Sequence, residues 1–180
     1  MKWLKKVVIN IFLILTILII YYLQSNFFTW FNIAGIMPNV FIILALFIGL
    51  FSTRTMGTCY GIVIGLIIDL LIGEKVGINA VTLGLVGFLS GEFDKNFSKD
   101  SRMTIMLMVL CSTALVEGLN YLIHYAVMSI NVEIVNFLII LVVEIIYNCI
   151  LTIILYPLMQ KAGYYLSLIH ISEPTRPRLI

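Results

Sequence analysis

GTCYGIVIGLIIDLLIGEKVGINAVTLGLVGFLSG, residues 57–91, is the stretch on which the fold turns. Gly57, Gly61, Gly65, Asp69, Gly73 and Gly77 follow one another at four-residue intervals. Two apolar runs flank a short polar break at 73–79. Small residues four apart share one side of a helix and let another backbone come close. Asp69 is an acid inside an apolar run, and a carboxylate at membrane depth is costly without a partner. The stretch therefore reads as a close-packed transmembrane hairpin at the centre of a small bundle. Successive four-residue steps drift about 40° around a helix. That drift turns Gly57, Gly61 and Gly65 to one neighbour, and Asp69 and Gly73 toward the next.

The rest of the chain is equally apolar. Of its 180 residues, 62% are hydrophobic and 11% charged, with a mean hydropathy of +1.12. Soluble domains carry about 25% charged residues. At about 20 residues per crossing, the chain has room for roughly six spans and little else. This is an all-α integral membrane protein, a six-helix transmembrane bundle. The net charge of +2 is too small to argue for nucleic acid. Cys59, Cys111 and Cys149 lie scattered in apolar runs, which suits neither a disulfide framework nor a metal site. The basic start and long apolar run of the N-terminus resemble a signal peptide. The run is too long for one, and no small-residue cleavage site follows it. It is retained as the first span.

The spans are predicted at about 7–23, 33–51, 57–72, 79–90, 103–125 and 135–158. Phe27, Phe28, Trp30 and Phe31 form an interfacial aromatic belt after the first. Pro38 and Asn39 fall in the first turns of the second, where proline is tolerated. The fourth is short and rich in glycine. Pro157 lies near the end of the sixth. Lys2, Lys5, Lys6, Arg54, Lys95, Lys99, Arg102 and Lys161 all fall on one side of such a bundle, and Lys75 alone on the other. The positive-inside rule then places both termini in the cytoplasm.

The last stretch breaks the pattern. LSLIHISEPTRPRLI, residues 166–180, is suddenly polar, and much of it resembles the translation of a sequencing-library adapter. The native membrane domain is taken as 1–165, with a genuine short cytoplasmic tail as the other reading.

Three acids are predicted at membrane depth: Asp69, Glu117 and Glu144. Asp69 stands about 18 Å along its helix and Glu117 about 21 Å along its own, both toward the outer half. Glu117, Asn120, Tyr121 and His124 share one side of the fifth span, as do Glu144, Tyr147 and Asn148 on the sixth. Three readings stay open: mutual hydrogen bonds that hold the bundle, a proton or substrate pathway, or a partner interface. No cluster of His, Cys and acids has ligand spacing, so no metal or cofactor is expected. There is no nucleophile elbow, no H-E-x-x-H and no phosphate-cradling loop, and no catalytic residue is assigned.

Pro38-Asn39, Gly49, Gly57, Gly61, Gly65, Asp69, Gly73, Gly77-Ile78-Asn79-Ala80, Gly87 and Gly91, taken together, resemble the pattern of the rod shape-determining protein MreD family. The resemblance covers about 1–165, with 38–91 distinctive. It implies a non-enzymatic component of the bacterial cytoplasmic membrane that serves cell shape and peptidoglycan synthesis. The partners it implies are a bitopic MreC-like protein, the MreB filament, and the RodA glycosyltransferase with its transpeptidase. Pro38, Asn39, Gly57, Gly61, Gly65, Asp69, Gly73, Gly77, Asn79, Gly87, Gly91, Glu117 and Glu144 are then candidates for helix packing or partner contact. Lys95, Lys99 and Arg102 would face acidic partners or anionic headgroups. The family is also similar in fold to the substrate-binding membrane components of energy-coupling-factor vitamin transporters, which supplies the alternative function. Those components dock through small residues in their first span. VVINIFLILTILIIYYL, the first span here, has no alanine or glycine, which counts against that alternative.

Overall fold

A computed structural model of the chain describes residues 2–33, 35–72, 76–93, 101–128 and 133–170. Gly73, Lys75, Lys95 and Lys99, and the tail from 171 on, lie outside the described residues. The elements of the described residues are helices: α1 (Lys2–Asn26), a 3-10 helix (Phe28–Phe31), α2 (Val40–Leu50), α3 (Arg54–Ile72), α4 (Ile78–Phe93), α5 (Arg102–Met128) and α6 (Ile134–His170). Three of these, over Arg54–Ile72, Arg102–Ala126 and Ile134–Ala162, are long and apolar enough to cross a membrane by themselves.

α2 is the centre of the bundle, not the glycine-rich hairpin. Its sequence, VFIILALFIGL, is apolar on every side, and ten of its eleven residues are buried. A helix apolar all round presents no polar face and goes inside. α2 packs against α1, α3, α4, α5 and α6, while α3–α4, α4–α5 and α5–α6 pack in sequence around it. Ile42, Ile43, Leu46 and Leu50 are fully buried there. In lipid such contacts stabilise through close packing, because the tails outside are as apolar as the core.

The predicted second span at 33–51 also needs correction. Only its second half is helical. Proline disfavours helix at Met37, the residue before it, and Asn39 after it is extended at φ −102°, ψ 92°. Pro38 and Asn39 therefore precede α2 instead of sitting in its first turns. α2 spans about 16 Å at 1.5 Å per residue, against a hydrocarbon thickness of about 30 Å. α3 starts three residues ahead of prediction. Thr53 serves as its cap: its carbonyl accepts from Gly57 N at 2.8 Å and its hydroxyl from Met56 N at 3.4 Å. α6 does not stop near Pro157 but continues to His170. Proline removes one helical bond, and the bonds on either side of it carry the helix through.

Consecutive helices run antiparallel. Arg54 at the start of α3 pairs with Glu92 near the end of α4 at 3.0 Å. Gln24 near the end of α1 bonds Pro38 and Val40 at the start of α2. Arg102 at the start of α5 lies over the Tyr156 ring late in α6. The first turns of α1, Arg54, Arg102 and Lys161 therefore gather at one end of the bundle. The aromatic 3-10 helix stands at the other, with Trp30 88% exposed.

α3 and α4 form the most extensive helix pair. A Cβ at Gly65 would collide with the backbone of Asn79 and Ala80, and one at Gly61 with that of Leu83. Backbone cannot swing aside as a side chain can. Leu66, by contrast, is exposed on the outer face of α3. Gly61→Leu or Gly65→Leu should therefore lower stability in a membrane unfolding assay by about 3 kcal/mol or more, and Leu66→Ala by about 0.5 kcal/mol or less. Equal losses would contradict the close seam.

Candidate functional site

Two groups of polar contacts stand where helices begin, at the starts of α4 and α2. Asp69, three residues from the end of α3, is 2% exposed. Its Oδ2 accepts from Gly77 N at 2.8 Å and Ala80 N at 3.2 Å. Its Oδ1 accepts from Asn79 N at 3.2 Å and Asn79 Nδ2 at 2.8 Å. The three backbone donors are orphan amides that open α4. Gly77 stands at the N-cap with φ 113°, and its carbonyl accepts the first helical bond, from Val81 N, at 3.0 Å. Glycine takes that φ without steric cost but has no side chain with which to cap. Asp69 supplies the missing cap from the preceding helix, at the end where the helix dipole favours negative charge.

Asp69 thus faces the same neighbour as the glycines before it, which corrects the expected turn toward a second helix. Gly57 meets Gly87, Gly61 meets Leu83 and Gly84, and Gly65 meets Asn79 and Ala80. The steps are close to four residues on both helices, so rows with the same drift stay in register along the pair. The second neighbour enters at the other end. A Cβ on Gly57 would lie 2.9 Å from Gly49 Cα, and one on Gly49 would lie 2.8 Å from Gly87 O and collide with Ser90 Oγ. Gly49, Gly57 and Gly87 bring three helix backbones together. Gly91 closes the far end against Arg54, where an added Cβ would lie 2.7 Å from Arg54 Cα.

Pro38 and Asn39 are held in the extended lead into α2. The Gln24 amide donates to Pro38 O at 2.6 Å and accepts from Val40 N at 3.2 Å. Asn148 Oδ1 on α6 accepts from Asn39 N at 2.7 Å, and its Nδ2 donates to Thr113 Oγ1 on α5 at 3.0 Å. Asn148 is fully buried. Non-helical backbone at membrane depth is tolerated only where protein satisfies it, and these two amides do so. Gln24 and Thr113 are absent from the candidates read in the sequence. Gln24 gives a signal in retrospect, as a lone amide between an apolar run and the aromatic belt. Thr113 gives none, since a threonine in a helix ordinarily bonds its own backbone.

Glu117 and Glu144 lie within electrostatic reach of each other across the α5–α6 interface. Tyr147, on the same face as Glu144, donates to Phe31 O at 2.9 Å and ties α6 to the 3-10 helix. Among the described residues no three of His, Cys, Asp and Glu gather as metal ligands. The arrangement is one of caps, amide bridges and close backbones. These contacts make the bundle rigid.

A family model described as rod shape-determining protein MreD matches residues 5–164. No curated protein and no solved structure matches the chain.

Asp69→Leu removes every acceptor from the start of α4, and the unfolding assay should record a loss of about 2–3 kcal/mol. Asp69→Asn keeps one oxygen, so its loss should fall between wild type and Asp69→Leu. Undiminished stability in Asp69→Leu would contradict the capping role.

Proposed function

Because the chain belongs to the rod shape-determining protein MreD family, and is thereby a rod-shape-determining membrane protein, we propose that it acts as a non-enzymatic scaffold of the bacterial elongation machinery. The family match over 5–164 carries this reading. In it, the protein sits in the cytoplasmic membrane and serves peptidoglycan synthesis by binding an MreC-like bitopic protein. The MreB filament and the RodA glycosyltransferase with its transpeptidase are further partners. The function is assigned to 1–165, and the polar 166–180 is left out of it.

Six crossings are part of the proposal. The antiparallel order of six helices supports it. So does the protein-lined setting of α2, whose short helix and extended lead need no lipid contact to cross. The gathering of Arg54, Arg102, Lys161 and the first turns of α1 at one end supports a cytoplasmic location for that end. Glycine contacts and buried caps make the bundle stiff, and a stiff surface loses little entropy on binding another helix. Candidates for such contact are the exposed faces of α3 and α6, where Leu70 and Ile154 are exposed.

Depletion in the host should turn rod or ovoid cells round or wide, with shape restored by the wild-type gene. In cells restored instead by a Trp30→Cys variant, the introduced thiol should react with an impermeant maleimide from outside. Normal shape after verified depletion, with no second copy of the gene, would overturn the function. Labelling of the Trp30→Cys variant only after lysis would overturn the orientation.

A further inference from the structure

A cavity of about 360 Å³ opens between α5 and α6 at the basic end of the bundle. Its two ends differ in chemistry. Arg102 and Gln160 line one, and Met106 and Ile153 the other. Arg102 and Ile153 are both exposed on the outer surface of the helix pair, so the cavity faces the lipid side. The two helices are among those long and apolar enough to cross a membrane, so the polar-to-apolar gradient runs from the bundle end toward its middle.

Aromatic packing holds the charged end of the cavity in place. The Arg102 guanidinium lies 5.9 Å from the centre of the Tyr156 ring. That ring is itself buried and packs on Phe47 at 6.5 Å between centroids. A cation over an aromatic face is held in place while its N–H groups stay open to an anion. Among the described residues no carboxylate pairs with Arg102, whereas Arg54 at the same end is engaged by Glu92. Pro157 also lines the cavity and has no N–H to give to the Ile153 carbonyl, so the α6 wall lacks a helical bond at this point.

We propose that this cavity is a binding site for one anionic glycerophospholipid. The phosphodiester sits at Arg102, and the upper part of an acyl chain runs along Met106 and Ile153. Guanidinium suits the phosphate geometry, and the cavity volume falls in the range of small-molecule sites. A zwitterionic lipid brings a second positive group to Arg102, so it binds less well. The site goes beyond the scaffold function and stands or falls separately from it.

The test uses the full chain, purified and delipidated, then offered 16:0/18:1 phosphatidylglycerol or phosphatidylcholine and read by native mass spectrometry. Wild type should retain one phosphatidylglycerol, about fivefold over phosphatidylcholine, as fits one basic residue near an anionic headgroup. Arg102→Gln should bring the two lipids to equal retention. Arg54→Gln should leave the preference unchanged. Met106→Trp, which fills the apolar end, should lower retention of phosphatidylglycerol even with Arg102 in place. Equal retention of both lipids by wild type would overturn the proposal, which keeps the test decisive if a variant fails to fold. So would an unchanged preference in folded Arg102→Gln, or full displacement of the lipid by millimolar inorganic phosphate.

Discussion

A carboxylate removed from water must find donors, and Asp69 finds four of them at the start of the next helix. The exchange serves both sides. The amides that open α4 have no carbonyl behind them, and Gly77 has no side chain to offer. The contact also sets a position. With Asp69 tied to Gly77, Asn79 and Ala80, the beginning of α4 is fixed beside Gly65. At the other end of the pair, the Arg54–Glu92 bridge is about half exposed and contributes little. The register of α3 against α4 therefore depends on the cap and on the glycines, much less on the visible ion pair.

From that register the remaining architecture follows. Gly49 can meet Gly57 and Gly87 only where α3 and α4 already lie backbone to backbone. α2 is then seated in the middle, with its short apolar length enclosed. Its extended lead would carry unsatisfied backbone groups into the bundle, and Gln24 and Asn148 take them up from opposite sides. α1 and α6 are thus joined through the same three residues, 38–40. In the proposed scaffold role, the surfaces that the bundle holds still are what a partner would meet. Caps, amide bridges and glycine contacts all serve that end.

Much of this was legible in the sequence, and the exceptions have physical causes. Hydropathy located the helices, because lipid demands long apolar runs with satisfied backbones. The four-residue glycine spacing pointed to a close backbone approach, since only missing side chains permit it. Asp69 stood out as a buried acid in need of a partner. Its partner could not be read, because backbone amides carry no signature of their own. The expected turn of Asp69 to a second helix failed for a related reason: drift was counted on one helix, while α4 drifts with it. The start of α2 was misplaced because early proline is compatible with a helix, whereas the bonds from Gln24 and Asn148 hold residues 38–40 at the end of an extended lead. Pro157 misled in the opposite direction, since a single lost bond does not end a helix whose other bonds are made.

The central claim is that Asp69 caps α4 from α3 and so sets the hairpin on which the bundle closes. Hydrogen exchange in a nanodisc addresses it directly, one amide at a time. In wild type, Gly77, Asn79 and Ala80 should exchange slowly for residues next to a turn. In Asp69→Leu these three should exchange at least about tenfold faster, while mid-helix amides of α6 keep their protection. Fast exchange at these amides in wild type, or unchanged exchange in Asp69→Leu, would contradict the account.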